Sequence, residues 1–150
     1  MSDEPIAVRP ARRADLDRIL QIERASFGKD AYDRNLFAEF SHKCGDLFLV
    51  CERRSRVWGY CVTCIRGDRA ELVSIAVDPA ARGKGAGSAL LASTLRRLKR
   101  RRVARFGLMV RLSNAPARAF YEKYGFRKLR TVSGYYEDGE AGLLMSKDLT

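Results

Sequence analysis

Glu71-Leu72-Val73-Ser74-Ile75-Ala76-Val77-Asp78-Pro79-Ala80-Ala81-Arg82-Gly83-Lys84-Gly85-Ala86-Gly87 is the stretch that decides how this chain folds. An apolar, β-branched run stops at Asp78-Pro79, a basic glycine-rich turn follows, and helical spacing begins near Ser88. Strand, glycine turn and helix N-terminus form an anion site, because the first amides of a helix lack helical acceptors and point at whatever sits there. Glycine lets the backbone approach a phosphate closely, and Arg82 and Lys84 add charge. The turn lacks the Gly-x-x-x-x-Gly-Lys-Ser/Thr spacing of a phosphate loop. Gly83-Lys84-Gly85 is also followed by Ala86-Gly87-Ser88, without the last glycine of a dinucleotide fingerprint.

Composition bounds the rest. A chain of 150 residues with 46% hydrophobic residues suits one domain, 1–150, with a real core. No apolar run is long enough to span a membrane. Met1-Ser2-Asp3-Glu4-Pro5 lacks the pattern of a secretory signal, so a cytoplasmic location is expected. Lys and Arg number 29 against 18 Asp and Glu, a net charge of +11. That balance favours anionic partners: coenzyme phosphates, RNA or a ribosome. The four cysteines are Cys44, Cys51, Cys61 and Cys64. Cys61 and Cys64 lie three apart in a run that reads as a strand and so face opposite sides, which opposes a shared metal. Buried reduced thiols and no metal site are expected.

Outward from the turn, periodicity predicts strands over residues 6–10, 47–52, 57–66, 71–77, 105–111, 126–132 and 143–147. Helices are predicted over 15–27, about 33–43, 88–101, and from the cap Asn114, with Pro116 in its first turn, to Gly125. Arg53-Arg54-Ser55-Arg56 reads as a charged hairpin turn. Leu91, Leu95 and Leu98 share one face of the third helix, with Leu90 and Thr94 beside them. The order predicts an α/β fold: a mixed, mostly antiparallel central sheet with helices on both faces.

Arg82-Gly83-Lys84-Gly85-Ala86-Gly87 resembles the Arg/Gln-x-x-Gly-x-Gly/Ala signature of the GNAT acetyltransferases. Two further segments resemble the RimI-like branch, which acetylates the N-terminal alanine of a ribosomal protein. One is Val110-Arg111-Leu112-Ser113-Asn114 with Phe120-Tyr121-Glu122-Lys123-Tyr124-Gly125-Phe126; the other is Gly134-Tyr135-Tyr136-Glu137-Asp138-Gly139-Glu140. The resemblance covers about Glu71 to Leu149, and the N-terminal third matches loosely through Ile22-Glu23-Arg24-Ala25-Ser26-Phe27.

The resemblance implies a GNAT fold and direct acetyl transfer from acetyl-coenzyme A to an amine, without an acyl-enzyme. It implies that Arg82, Gly83, Lys84, Gly85, Ala86, Gly87 and Ser88 bind the pyrophosphate, and that Ile75, Ala76 and Val77 offer backbone groups to the pantetheine arm. It assigns Asn114 a cofactor hydrogen bond, compatible with a helix cap. Tyr121 matches the general acid that protonates the departing thiolate; packing at the helix–sheet seam is the other reading. Thiol and tyrosine pKa values of about 8.5 and about 10 make that transfer feasible.

RimI-like enzymes usually carry a glutamate base where this chain has Met109. Glu71 is the candidate replacement, because it matches the base of the histone-lysine branch; a solvated strand-end carboxylate is the alternative. Tyr135 and Tyr136 match the tyrosines lining the peptide entry, with Phe27 and Tyr32 as the other lip. Glu137, Asp138 and Glu140 are expected to attract an ammonium group. The expected acceptor is a protein N-terminus, a ribosomal protein by resemblance. A lysine or small amine acceptor, or a weakened ribosome- or RNA-binding module, are the rivals. Arg96-Arg97-Leu98-Lys99-Arg100-Arg101-Arg102 reads as a solvated helix end, with phosphate contact as the alternative.

Overall fold

The computed structural model describes residues 5–150. In chain order the elements are β1 (Ala7–Pro10), α1 (Leu16–Phe27), α2 (Arg34–Cys44), β2 (Phe48–Arg53), β3 (Arg56–Arg66), β4 (Arg69–Val77), α3 (Ala86–Arg100), β5 (Arg105–Arg111), α4 (Ala115–Lys123), β6 (Arg127–Val132) and β7 (Gly142–Asp148). The strands form a mixed seven-stranded sheet in the order β1-β2-β3-β4-β5-β7-β6. β1–β2, β2–β3, β5–β7 and β6–β7 pair antiparallel, and β4–β5 pair parallel. No helix of the described residues is long and apolar enough to cross a membrane. The chain divides into two compact units, Met1–Cys64 with Val73–Leu98, and Ile65–Leu72 with Lys99–Thr150.

In the first unit, strand alternation sends neighbouring β3 side chains to opposite helices. Tyr60 meets Glu23 of α1 and Phe37 of α2, whereas Cys61 meets Thr94 of α3. Helices therefore cover both faces of β3. Leu16, Ile19, Leu20, Phe37, Phe48, Val50, Tyr60 and Val62 make the core on the α1–α2 side. Each such side chain contributes about 1.5–3 kcal/mol by leaving water. Asp33 caps α2, its side chain accepting from the Leu36 amide at 2.9 Å. α3 begins at Ala86, two residues before the predicted start, and buries Leu90, Leu91, Thr94 and Leu98 while Leu95 is only half-buried. The β2–β3 turn is shorter than predicted: only Arg54 and Ser55 lie outside the strands, both at positive φ.

The cysteines correct the sequence expectation. Cys44 and Cys64 form a disulfide with Cα atoms 4.9 Å apart, joining the end of α2 to β3. They are 20 residues apart, so no local pattern shows the pairing. Cys51 and Cys61 remain free, and burial pushes their thiols up to about 11 and about 12. Among the described residues no group of three His, Cys, Asp or Glu could hold a metal.

In the second unit β5 buries Phe106, Leu108 and Val110, the face its alternation predicts. Phe106 meets Phe126 with ring centres 5.4 Å apart, and Phe126 meets Tyr121 of α4 at 5.7 Å. The β4–β5 register runs from Arg69↔Arg105 to Leu72↔Leu108.

Candidate active site

The first unit holds the glycine turn. β4 buries Ala70, Leu72, Ser74 and Ala76 and leaves Val73, Ile75 and Val77 half-buried on the opposite face. It ends where Asp78 turns back on the chain. The Asp78 carboxylate accepts from the Ala80 amide at 2.8 Å and from Arg18 Nη2 at 2.5 Å, and both donors hold it below the usual carboxylate range. A single 3-10 turn, Pro79–Ala81, leads to Arg82.

Gly83 and Gly85 then take φ values of 78° and 87°, which L side chains rarely adopt. A Cβ at either would meet nothing within 4 Å. Conformation therefore demands the glycines, and the space beside them is open to an incoming group. The first α3 bond runs from the Ala89 amide to the Gly85 carbonyl at 3.0 Å, so the amides of Ala86, Gly87 and Ser88 have no acceptor within the helix. Arg82 and Lys84 are exposed beside them. Ala76 and Ala86 bury their methyl groups, so either can serve a ligand only through its backbone.

The same unit holds a buried carboxylate among the apolar residues of α1. Glu23 occupies a helical position among Leu16, Ile19 and Leu20, and it is 1% exposed. Its carboxylate accepts from the Tyr32 amide at 2.9 Å, from the Tyr60 hydroxyl, and from Ser74 Oγ at 3.3 Å. Desolvation pushes its pKa up despite these bonds. Glu23 thereby ties α1 to β3, to β4 and to the segment before α2. Phe27 ends α1 with its ring 39% exposed. Tyr32 packs edge-on against Phe37 and Phe40, at 6.2 and 5.8 Å.

The second unit holds the remaining candidates. Glu71 is exposed and pairs with Gly107 of β5. Aligned residues of a parallel pair share a face, so Glu71 lies on the face that also carries Met109 two residues along. Met109 approaches Gly142 so closely that a Cβ there would lie 2.7 Å from its sulfur and 3.2 Å from Cβ of Tyr135. Met109 and Tyr135 therefore lie together. Asn114 caps α4, its side chain accepting from the Ala117 amide at 3.2 Å. Tyr121 is buried, its ring 5.4 Å from Phe120.

Tyr135 and Tyr136 form a T-shaped pair at 5.0 Å, with Tyr135 51% exposed. Two of the three acidic residues of the loop are ion-paired. Arg111 lies 4.1 Å over the Tyr136 ring and binds both Asp138 and Glu140 at 2.9 Å. Glu140 also accepts from the Ser113 amide at 2.9 Å. Arg111 thus offsets part of the loop's charge, and one guanidinium against three carboxylates leaves the loop net negative. Among the described residues only Glu137 of the three carries no ion pair.

Residues 15–126 match the profile of the Acetyltransferase (GNAT) family. The chain is 34% identical over 140 residues to the provisionally named ribosomal protein bS18-alanine N-acetyltransferase of Bacillus subtilis (strain 168), covering 93% of each chain. It is 34% identical over 155 residues to an N-alpha-acetyltransferase of Saccharolobus solfataricus, covering 95% of this chain and 92% of that one. Among solved structures, Ard1 from Thermoplasma volcanium superposes with a TM-score of 0.93 at 25% identity, covering 97% of this chain and 98% of that one.

Proposed function

The chain belongs to the GNAT acetyltransferase family, and from that premise we propose that it moves acetyl from acetyl-coenzyme A directly onto the α-amine of a protein N-terminus. The observation that carries the reading is the turn at Gly83 and Gly85. Two positive-φ glycines with open space beside them lead straight into helical amides without helical acceptors, flanked by exposed Arg82 and Lys84. That is the donor set a pyrophosphate requires. The relatives' names, a bS18-alanine N-acetyltransferase and an N-alpha-acetyltransferase, support a chain-end amine over a lysine side chain and make a ribosomal protein the first acceptor to try.

The residues divide the work. Arg82, Gly83, Lys84, Gly85, Ala86, Gly87 and Ser88 hold the pyrophosphate, largely through backbone N–H groups. Ile75, Ala76 and Val77 offer main-chain groups to the pantetheine arm, and Asn114 adds a polar contact from the α4 cap. The thioester supplies an activated acetyl group. Glu71 takes the proton the amine must lose, since Met109 has no basic atom, and Tyr121 returns a proton to the departing sulfur. Buried, protonated Cys51 and Cys61 are poor nucleophiles, which favours direct transfer over an acyl-enzyme. Phe27, Tyr32, Tyr135 and Tyr136 line the acceptor's approach. One acetyltransferase domain, residues 1–150, carries all of these.

The test is to incubate the protein with acetyl-coenzyme A and a library of N-terminal and lysine peptides. Free thiol is followed and the acetylated position located by mass spectrometry. Thiol release with acetyl on the N-terminal nitrogen supports the reading; acetyl confined to lysine refutes it.

A further inference from the structure

A cavity of about 530 Å³ opens in the first unit between the β2–β3 hairpin and the turn after β4. Its lining includes Arg53, Arg54, Arg56, Lys84 and Trp58. Its size falls in the range of small-molecule pockets. Arg56 lies 5.0 Å over the ring of Trp58, and Arg18 lies 5.7 Å from the same ring. Arg18 is committed: it donates to the Val57 carbonyl at 2.9 Å and to Asp78. The carboxylate in the lining, Glu52, is held by Arg9 at 3.3 Å. Asp78 lies within the field of Arg56, but Arg18 and the Ala80 amide already bind it. Among the described residues, Arg54, Arg56 and Lys84 have no carboxylate within ion-pair distance. The cavity therefore concentrates uncompensated positive charge against an indole.

The hairpin adds an independent observation. Arg54 and Ser55 make a two-residue turn at φ 54° and 64°, where Asn or Gly is the ordinary choice. An arginine there accepts backbone strain and stands at the cavity's rim. Guanidinium groups bind phosphate through paired N–H donors, and an aromatic face stacks a base or a guanidinium. A bare anion would use only the cations; a nucleotide uses the indole as well.

We propose that this cavity binds a free nucleotide carrying two or more phosphates, with Arg54 and Arg56 on the phosphates and Trp58 against the base. The nucleotide end of coenzyme A carries the same chemistry, and the experiment separates it from a free nucleotide. The inference does not depend on acetyl transfer, although Lys84 belongs also to the turn after β4.

Trp58 is the chain's one tryptophan, so its fluorescence reports on this cavity alone. ADP is titrated into the whole protein at fixed ionic strength. Saturable quenching is expected, with half-saturation at least tenfold weaker in Arg54→Glu. Arg54→Gly, which relieves the turn's φ, should show the same weakening and covers the case in which Arg54→Glu fails to fold. Repeating the titration with saturating coenzyme A identifies the source. Undiminished ADP binding marks a separate nucleotide site. Loss of ADP binding to coenzyme A, but not to 4′-phosphopantetheine, would assign the cavity to the coenzyme's own nucleotide end and overturn the proposal. Absence of saturable quenching, unchanged half-saturation in both Arg54 variants, or equal quenching by sulfate at matched ionic strength would overturn the proposal. These readouts use no acceptor, so failure here is distinct from failure of acetyl transfer.

Discussion

Ser74 Oγ donates to the Glu23 carboxylate at 3.3 Å, joining the buried face of β4 to the α1 residue that also receives the Tyr32 amide. Through this one group, the strand that leads to the glycine turn is tied to the segment expected to line the acceptor. Desolvation raises the Glu23 pKa above the unfolded value of about 4.3. The folded protein then keeps this proton to higher pH than the unfolded chain. The stability this contributes is full below the unfolded pKa and is lost as pH rises through the folded one. Glu23→Gln removes that dependence. Urea unfolding across a pH series should show the wild type losing stability relative to Glu23→Gln as pH rises. Glu23→Ala, which strands three buried donors, should cost about 2–4 kcal/mol at all pH.

Gly85→Glu should weaken acetyl-coenzyme A binding at least ~10-fold, because it sets a carboxylate at the proposed pyrophosphate site and forces a side chain onto φ 87°. Titration calorimetry measures it. Gly85→Ala carries the same backbone strain without the charge and should bind better than the glutamate variant. Equal affinity in the two would place the cost in the backbone alone.

Tyr121→Phe keeps the ring contacts with Phe120 and Phe126 and removes only the hydroxyl. Turnover should fall by roughly 10²–10⁴-fold with cofactor affinity intact. Glu71→Gln should slow the reaction most below the amine's pKa, where a base is most needed. Steady-state rates across pH separate the two roles. A pH-independent loss in Glu71→Gln would remove Glu71 from proton transfer.

The disulfide closes a 20-residue separation between α2 and β3. Constraint of the unfolded chain over such a loop is worth about 3 kcal/mol. Reduction, or Cys44→Ser, should lower the thermal midpoint by several degrees, measured by calorimetry with and without dithiothreitol.

Much of this was legible in the residues. β5 runs from Arg105 to Arg111 as its alternation predicts, and Asn114 caps α4 as its position before Ala115-Pro116 predicts. Gly83 and Gly85 take the positive φ that glycines in a turn suggest, because φ preference is a property of single residues. What stayed hidden depends on partners distant in sequence. Cys44 gives no local sign that Cys64 will stand 4.9 Å away. Asp138 and Glu140 look like free charge until Arg111, 27 and 29 residues earlier, is folded against them. Glu23 draws its three donors from three other segments, which no local pattern shows.

α-Amines with a pKa of about 8 are far more often neutral at pH 7 than lysines at about 10.4. Because Met109 offers no basic atom, the proposed reaction should depend on that difference. The most direct measurement compares matched peptides with free and blocked N-termini, each containing one lysine, as acetyl acceptors. Transfer to the free-ended peptide, abolished by blocking and weakened by Tyr136→Ala without change in cofactor binding, is the predicted result. Equal acetylation of the blocked peptide would contradict the N-terminal reading and assign the lysine side chain as acceptor.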